Sequence, residues 1–500
     1  MGQIIIERGF WQKYRDVMPI GAGALYLMQM FSILSFSVLY STLILYTTKS
    51  LHMSDIVATS ITGSFLALNY FLHLIGGYIG GRYLSYRSLF VISMLCEVIG
   101  CAFIAIPNVS FLFWGLALFL TGCGLNITCI NCLLTQLFKP DDKNREASFL
   151  WNYSGQNIGF FVGFIIAGYF DLHQAYQKLF LLSALGNIAA IVITLCNWNT
   201  LRDRGTRFVD LTKAKQVSAR LIGIGAAIAV IFALRNILQS TAFCNQLILV
   251  VTIIMFWLVI LLAFKQPVRM ERNKILAYSI LALGAIIFWT LILIGPMGLN
   301  LFIERNVDRH FLNVMLAPQW VLNMSNFVTI IGAPILSVVF TRLRSRGINI
   351  TIPLQFSVGL LLIGISFVIL PIGIHFANAQ GYSNVNWVLA SYTVQSVGDL
   401  FVSPIGYALV GQLAPPNLRG MMMGTWLMFG GVTGVLADYF SKMALGGTDS
   451  VNPLITNLSY SQTFFNVGAS AIIAGMVLLI CTPIIAKMTQ ERKSLSERIA

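Results

Sequence analysis

Charge is scarce in this chain, and acid is the scarcer sign. Asp, Glu, Lys and Arg make up only 10% of the 500 residues, with 18 acids against 32 bases. Set beside 57% hydrophobic residues and a mean hydropathy of +0.80, this leaves too little polar surface to clothe a water-soluble fold. The chain reads as a polytopic membrane protein, and its architecture is counted in helices. Other absences narrow the chemistry. There are five histidines and no His/Cys spacing suited to a metal. Cys129 and Cys132 form a CxxC with no second pair nearby, which reads as two small buried apolar residues. No aromatic-rich basic patch and no glycine-rich phosphate loop occurs, so neither nucleic acid nor a metal or organic cofactor is expected. No nucleophile, base and orienting group cluster together, which argues against an enzyme. The opening "MGQIIIERGFWQKYRD" lacks the apolar core and cleavage site of a signal peptide, so the first long apolar run is expected to stay in the bilayer.

What the chain does have is apolar length. A spanning helix needs about 20 mostly apolar residues. Runs of that kind lie near 18–47, 56–80, 88–106, 110–138, 147–170, 178–197, 220–238, 245–264, 275–303, 318–341, 352–374, 385–413, 418–445 and 462–487. With the N-terminus inside, 26 of the 32 Lys and Arg fall on the inner side. Four fall outside (Lys49, Arg305, Arg309, Lys442), and Lys178 and Arg235 sit at ambiguous helix ends. That asymmetry predicts both termini on the cytoplasmic side and supports an even helix count. The net charge of +14 is therefore mainly a topology signal.

The longest polar stretch, 197–220, divides the chain. The expected organisation is a six-helix bundle over 1–197, a cytoplasmic linker over 198–219, two inserted spanning helices with their loop over 220–274, and a second six-helix bundle with a tail over 275–500. "GGYIGGRYLSYR" after the second helix is echoed by "VVFTRLRSRG" in the second half. An all-α, fourteen-helix, 6+2+6 arrangement resembles the outline of the major facilitator superfamily, whose site lies near the midplane between the halves.

Three polar residues stand where apolar ones are expected. Asp399 lies in "QSVGDLFVSPIG", Glu97 in "SMLCEVIGCAF" and His73 in "YFLHLIGG". An ionisable group at bilayer depth is expensive and is a functional-site hypothesis by default. Glu97 is the only other carboxylate that the helix count places deep within a span. His73 shares a helical face with Tyr70 and could titrate near neutrality, or simply pack.

Three longer stretches carry a more specific resemblance. "VNWVLASYTVQSVGDLFVSPIGYALVGQLAPPNLRGMMMGTW" (385–426), "FWTLILIGPMGLNLFIERNV" (288–307) and "VLNMSNFVTIIGAPIL" (321–336) are similar to the corresponding core helices of proton-dependent oligopeptide transporters. The resemblance implies secondary active transport by alternating access in a bacterial inner membrane, with a peptide or peptide-like solute and protons as partners, and a monomer. It makes Asp399, Asn157, Tyr70, Tyr153, Asn323, Gln29 and Trp289 candidates for binding the solute. Asp399, Glu97 and His73 become candidates for proton coupling, and Arg419 and Arg82 for cytoplasmic gating.

The first half departs from the family at its chemistry. Where the family's first helix carries E-x-x-E-R, this chain has Gln29, Ser32 and Ile33; where its fourth helix carries a lysine, this chain has Ile127; and Gly81 replaces the acid of the second loop. Loss of both clamps for peptide termini argues against ordinary dipeptides as the main cargo. Three alternatives stay open: an importer of a peptide-like or anionic polycarboxylate metabolite such as a siderophore, an exporter on the same scaffold, and a non-transporting receptor. The intact "SPIG" and "LRGMMMG" segments weigh against the last.

Overall fold

The computed structural model describes residues 19–138, 144–346, 350–415, 418–447 and 450–499. Among them the helices run α1 (Ala22–Lys49), α2 (Asp55–Ile79), α3 (Tyr86–Ile104), α4 (Val109–Gln136), α5 (Asn144–Leu172), α6 (Tyr176–Cys196), α7 (Lys213–Gln239), α8 (Thr241–Phe264), α9 (Arg269–Ile294), α10 (Asn300–Asn306), α11 (Pro318–Leu322), α12 (Met324–Ser345), α13 (Ile352–His375), α14 (Val385–Leu413), α15 (Arg419–Leu445) and α16 (Pro453–Ile499). Only α10 and α11 are short, and the fourteen long helices match the fourteen apolar runs one for one. Among the described residues, eleven spans are long and apolar enough to cross a bilayer by length and composition. The other three long helices, α5, α14 and α15, include those bearing Tyr153, Asn157 and Asp399. α7 begins at Lys213 rather than at 220, because the polar turns before its apolar run are helical as well.

The chain divides into two compact units. One comprises Met1–Val38, Leu72–Gly163 and Gln177–Arg235, the other Leu39–Phe71, Phe164–Tyr176 and Asn236–Ala500. In the first, Leu89, Phe90 and Met94 of α3 pack with Leu125, Cys129, Ile130 and Leu133 of α4 and with Leu25 and Met28 of α1. The α3–α4 seam is narrow: a methyl on Gly100 would lie 2.9 Å from the carbonyl oxygen of Gly115. Such close approach is how membrane helices gain dispersion contact without a hydrophobic drive. The segment after α6 is strapped down. Asp203 accepts the backbone N–H of Tyr86 at 2.9 Å and so caps α3, while the Phe208 N–H reaches the carbonyl of Gly81 at 2.9 Å. Arg87 lies 4.3 Å over the Trp198 ring.

In the second unit, α13 and α16 meet through the same device, with a methyl on Gly364 placed 2.7 Å from the Gly468 carbonyl. Between α9 and α10 the helix widens into a π turn over Gly295–Leu299, with Met297 outside helical dihedrals. Pro296 accounts for it, since its missing N–H and its ring break the regular ladder. The opened backbone is re-satisfied, the Gly298 N–H donating to Ser441 Oγ at 3.1 Å. α8 exposes Val250, Ile253, Trp257 and Leu261, a surface suited to acyl chains and not to water.

Candidate functional site

In the second unit, α14 presents Tyr392, Gln395, Asp399 and Ser403 at spacings of three and four residues, which puts them along one helical face. Tyr392 and Gln395 are buried and Asp399 is half-buried. Ser403, one turn on, donates to Asp399 Oδ1. Tyr40 from α1 lies within electrostatic reach of Tyr70, Tyr392 and Asp399, so groups from α2 and α14 gather about the Tyr40 hydroxyl. Tyr70 itself packs under α15, its ring 2.9 Å from where a methyl on Gly430 would stand. Among the described residues no Lys, Arg or His forms an ion pair with Asp399. The Tyr392 hydroxyl and Gln395 Oε1 are buried without a hydrogen-bond partner. A half-buried acid without a cation, beside polar atoms that the protein leaves unused, is the chemistry of a site that receives something from outside the chain.

The other candidates of this unit have contacts of their own. Asn323 is buried at the end of α11 and accepts from Asn326 Nδ2 at 3.0 Å. Trp289 is half-buried beside Phe288 with ring centroids 5.8 Å apart. The side chain of Arg419 lies outside the described residues.

In the first unit the candidates are held by separate contacts. Gln29 is buried on α1, where Asn152 of α5 approaches its side-chain oxygen at 3.5 Å and the Ser32 hydroxyl bonds its backbone carbonyl at 3.1 Å. Ile33, at the family's arginine position, is buried, and a methyl on Gly159 would stand 2.1 Å from it, so this position is packed between helices. Asn157 turns its amide to the backbone of Tyr153 at 2.9 Å, and Tyr153 is exposed. His73 is buried, and its backbone carbonyl receives Thr128 at 3.3 Å. Arg82 is exposed and stacks 4.4 Å over Tyr78. Glu97 is fully buried and receives Asn126 Nδ2 at 2.7 Å.

Two features escaped the sequence. Glu97 is not the only other carboxylate buried along a long helix: Asp438 of α15 is 2% exposed, binds Lys442 at 2.8 Å and accepts from Asn245 Nδ2 at 3.0 Å. Its lysine one turn away made the pair look like a helix end. An ionic cluster also holds the helix ends of the second unit. Lys49 meets Glu304 at 2.8 Å and Asp171 at 3.3 Å, Arg309 meets Glu304 at 3.2 Å, and Arg305 grips Asp55 with both nitrogens.

Residues 87–457 match the POT family. The chain belongs to the POT family. The dipeptide and tripeptide permease A of Salmonella typhimurium strain LT2 is 29% identical over 454 residues, covering 89% of this chain and 88% of that protein. The permease of the same name from Escherichia coli K12 is 28% identical over 454 residues, with 89% and 88% covered. A solved peptide transporter POT in complex with sulfate has the same fold, with a TM-score of 0.83 at 23% identity over 96% of this chain and 97% of its own. A POT-family chain is a membrane transporter and not an enzyme, and its fourteen long helices are those of a carrier.

Proposed function

We propose that this protein is a proton-coupled secondary transporter of a bacterial inner membrane, with both termini cytoplasmic, carrying a peptide-like solute by alternating access as a monomer. The observation that carries this reading is Asp399: a half-buried carboxyl on a membrane helix, hydrogen-bonded to Ser403, without a cationic partner among the described residues. A charge placed there costs about 3 kcal/mol on insertion scales. Such a cost is sustained where the group takes up a proton or an ammonium during the cycle. The relatives named dipeptide and tripeptide permease support a peptide-like solute. The uncharged Gln29, Ser32, Ile33 and Ile127 support a cargo other than ordinary dipeptides, one recognised through its amino group and its hydrogen-bonding backbone more than through two charged ends.

Purified protein in liposomes loaded with a pH-sensitive dye tests the reading. Gradients of peptide-like solutes are expected to move protons through the wild type, and Asp399→Asn is expected to abolish that movement while leaving solute binding measurable. Equal proton flux in both proteins removes Asp399 from coupling. A wild type that binds no such solute overturns the transport of peptide-like cargo.

A further inference from the structure

Glu97 shares with Asp399 a serine neighbour and the lack of a cationic partner among the described residues, but it is closed off where Asp399 is half-buried. It is 0% exposed, so it opens onto no cavity, and among the described residues no cation approaches it. The titratable groups near it are thiols: Cys96 and Cys101 on its own helix and Cys123 on α4. Its other neighbours are uncharged. Asn126 Nδ2 of α4 donates to Oε1 at 2.7 Å, and Ser35 Oγ of α1 stands 3.3 Å from Oε2. That same Ser35 oxygen lies 2.8 Å from Asn187 Oδ1 of α6. Four helices of one unit thus converge on a single carboxyl.

Full burial without a cation favours the neutral acid, and the supply of hydrogens agrees with it. Three oxygens lie about Ser35 Oγ, Asn187 Oδ1 at 2.8 Å, Glu97 Oε2 at 3.3 Å and the Ser32 carbonyl at 3.4 Å, and the hydroxyl has a single proton to give. The shortest contact takes it, so Ser35 donates to Asn187. Of the two longer contacts, the one to the Ser32 carbonyl stays without a proton, whereas the one to Glu97 is completed when the carboxyl is the acid and Oε2–H donates to Ser35 Oγ. Turning the Asn187 amide would let nitrogen face the serine, but the carboxyl would then be an anion in a lipid-buried bundle, attended by neutral donors alone, which costs several kcal/mol more than the acid. The site is also built for the group. A methyl on Gly122 would lie 2.5 Å from Glu97 Cγ, so only glycine at that position admits the carboxyl.

We propose that Glu97 is a proton-binding site of this transporter, held as the neutral acid by Ser35 and Asn126 and able to exchange its proton only when α1 and α4 shift against α3. The inference rests on the proton-coupled reading above and places a second coupling acid in the unit whose first-helix positions carry Gln29 and Ser32. Because the acid is closed off from water, its exchange is tied to helix movement, which is what a coupling group requires and what a merely structural acid does not.

Infrared spectroscopy of the protein in lipid vesicles at neutral pH tests it. In an Asp399→Asn background, the carbonyl stretch of a protonated carboxyl is expected, and it is expected to be lost when Glu97→Gln is added. Ser35→Ala keeps the carboxyl and removes its acceptor, so it is expected to shift the band, a readout that serves even where the glutamine variant does not fold. In transport, Glu97→Gln is expected to retain exchange of labelled solute at equal concentrations and to lose uphill accumulation driven by a pH gradient. Absence of any band assignable to Glu97, or unchanged uphill accumulation in Glu97→Gln, overturns the proposal. Failure of the transport reading itself shows up differently, as a wild type that exchanges no solute.

Discussion

The hydroxyl of Tyr392 is buried without a hydrogen-bond partner, and it stands 3.4 Å from where a side chain on Gly295 would begin, at the mouth of the π turn. A buried hydroxyl ordinarily finds a partner, because leaving one unmade costs about 1–3 kcal/mol. Removing this one therefore takes away no bond the folded chain makes. Tyr392→Phe is expected to leave the melting temperature in detergent unchanged or slightly raised, while weakening solute affinity measured by equilibrium binding; unchanged affinity would remove Tyr392 from the site. Residues of this kind show why the candidate site was only partly legible. Asp399 announces itself, because a carboxylate inside an apolar run breaks the pattern. Tyr392 and Tyr40 do not, since the chain has 17 tyrosines and a tyrosine in a membrane helix breaks nothing. Gln395 lies one turn from Asp399, and the spacing alone could have raised it. Glu97 was conspicuous for the same reason as Asp399, but its partners Ser35 and Asn187 lie 62 and 90 positions away from it and follow from no local pattern.

Among elements, the helix ends of the second unit are joined by charge. Arg305 at the end of α10 grips Asp55 at the start of α2, where the acid also faces the positive end of the helix dipole. Asp55 is 3% exposed, so stripping one partner leaves a charge shielded from water. Asp55→Asn is expected to lower unfolding stability by about 3 kcal/mol, and adding Arg305→Gln to restore part of it; additive losses in a thermal double-mutant cycle would show that the pair is not coupled. The four bases placed outside by sequence, Lys49, Arg305, Arg309 and Lys442, are all members of such pairs. They depart from the charge asymmetry because acids hold them, a fact that the positive-inside rule, which counts bases alone, does not register. The segment after α6 shows a second limit of the sequence. Its polarity reads as a solvated linker, yet Asp203 reaches back to cap α3. Burial raises the Asp203 carboxyl above its ordinary range despite backbone donors from Tyr86 and Arg87. A raised acid stabilises the fold below its unfolded pKa of about 3.9, and that contribution is lost as pH rises through the folded value. Asp203→Asn accepts the same backbone N–H without ionising. Its melting temperature relative to wild type is expected to rise from mildly acidic to neutral pH, and a flat difference would contradict the burial argument.

At the scale of the whole molecule, the sequence was most legible where one physical constraint acts alone. Backbone groups in hydrocarbon must bond within their own helix, so each span needs a long apolar run, and the fourteen runs became fourteen long helices. Side-chain networks obey no such single rule. Orientation follows from another one-variable rule, the distribution of bases, and it can be read with a residue the chain already carries. Of the eight free cysteines, Cys196 at the end of α6 is the exposed one; Cys96, Cys132 and Cys481 are half-buried and the rest are buried. It adjoins the segment that holds Arg202, Arg204 and Arg207, which the charge asymmetry assigns to the cytoplasm. A membrane-impermeant maleimide is therefore expected to leave Cys196 unmodified in right-side-out vesicles and to label it in inside-out ones, with the signal lost in Cys196→Ser. Labelling in right-side-out vesicles would reverse the orientation. Under the coupling proposed for Asp399 and Glu97, it would also reverse the direction in which a pH gradient loads them, so the topology experiment fixes the sign of every transport assay that follows it.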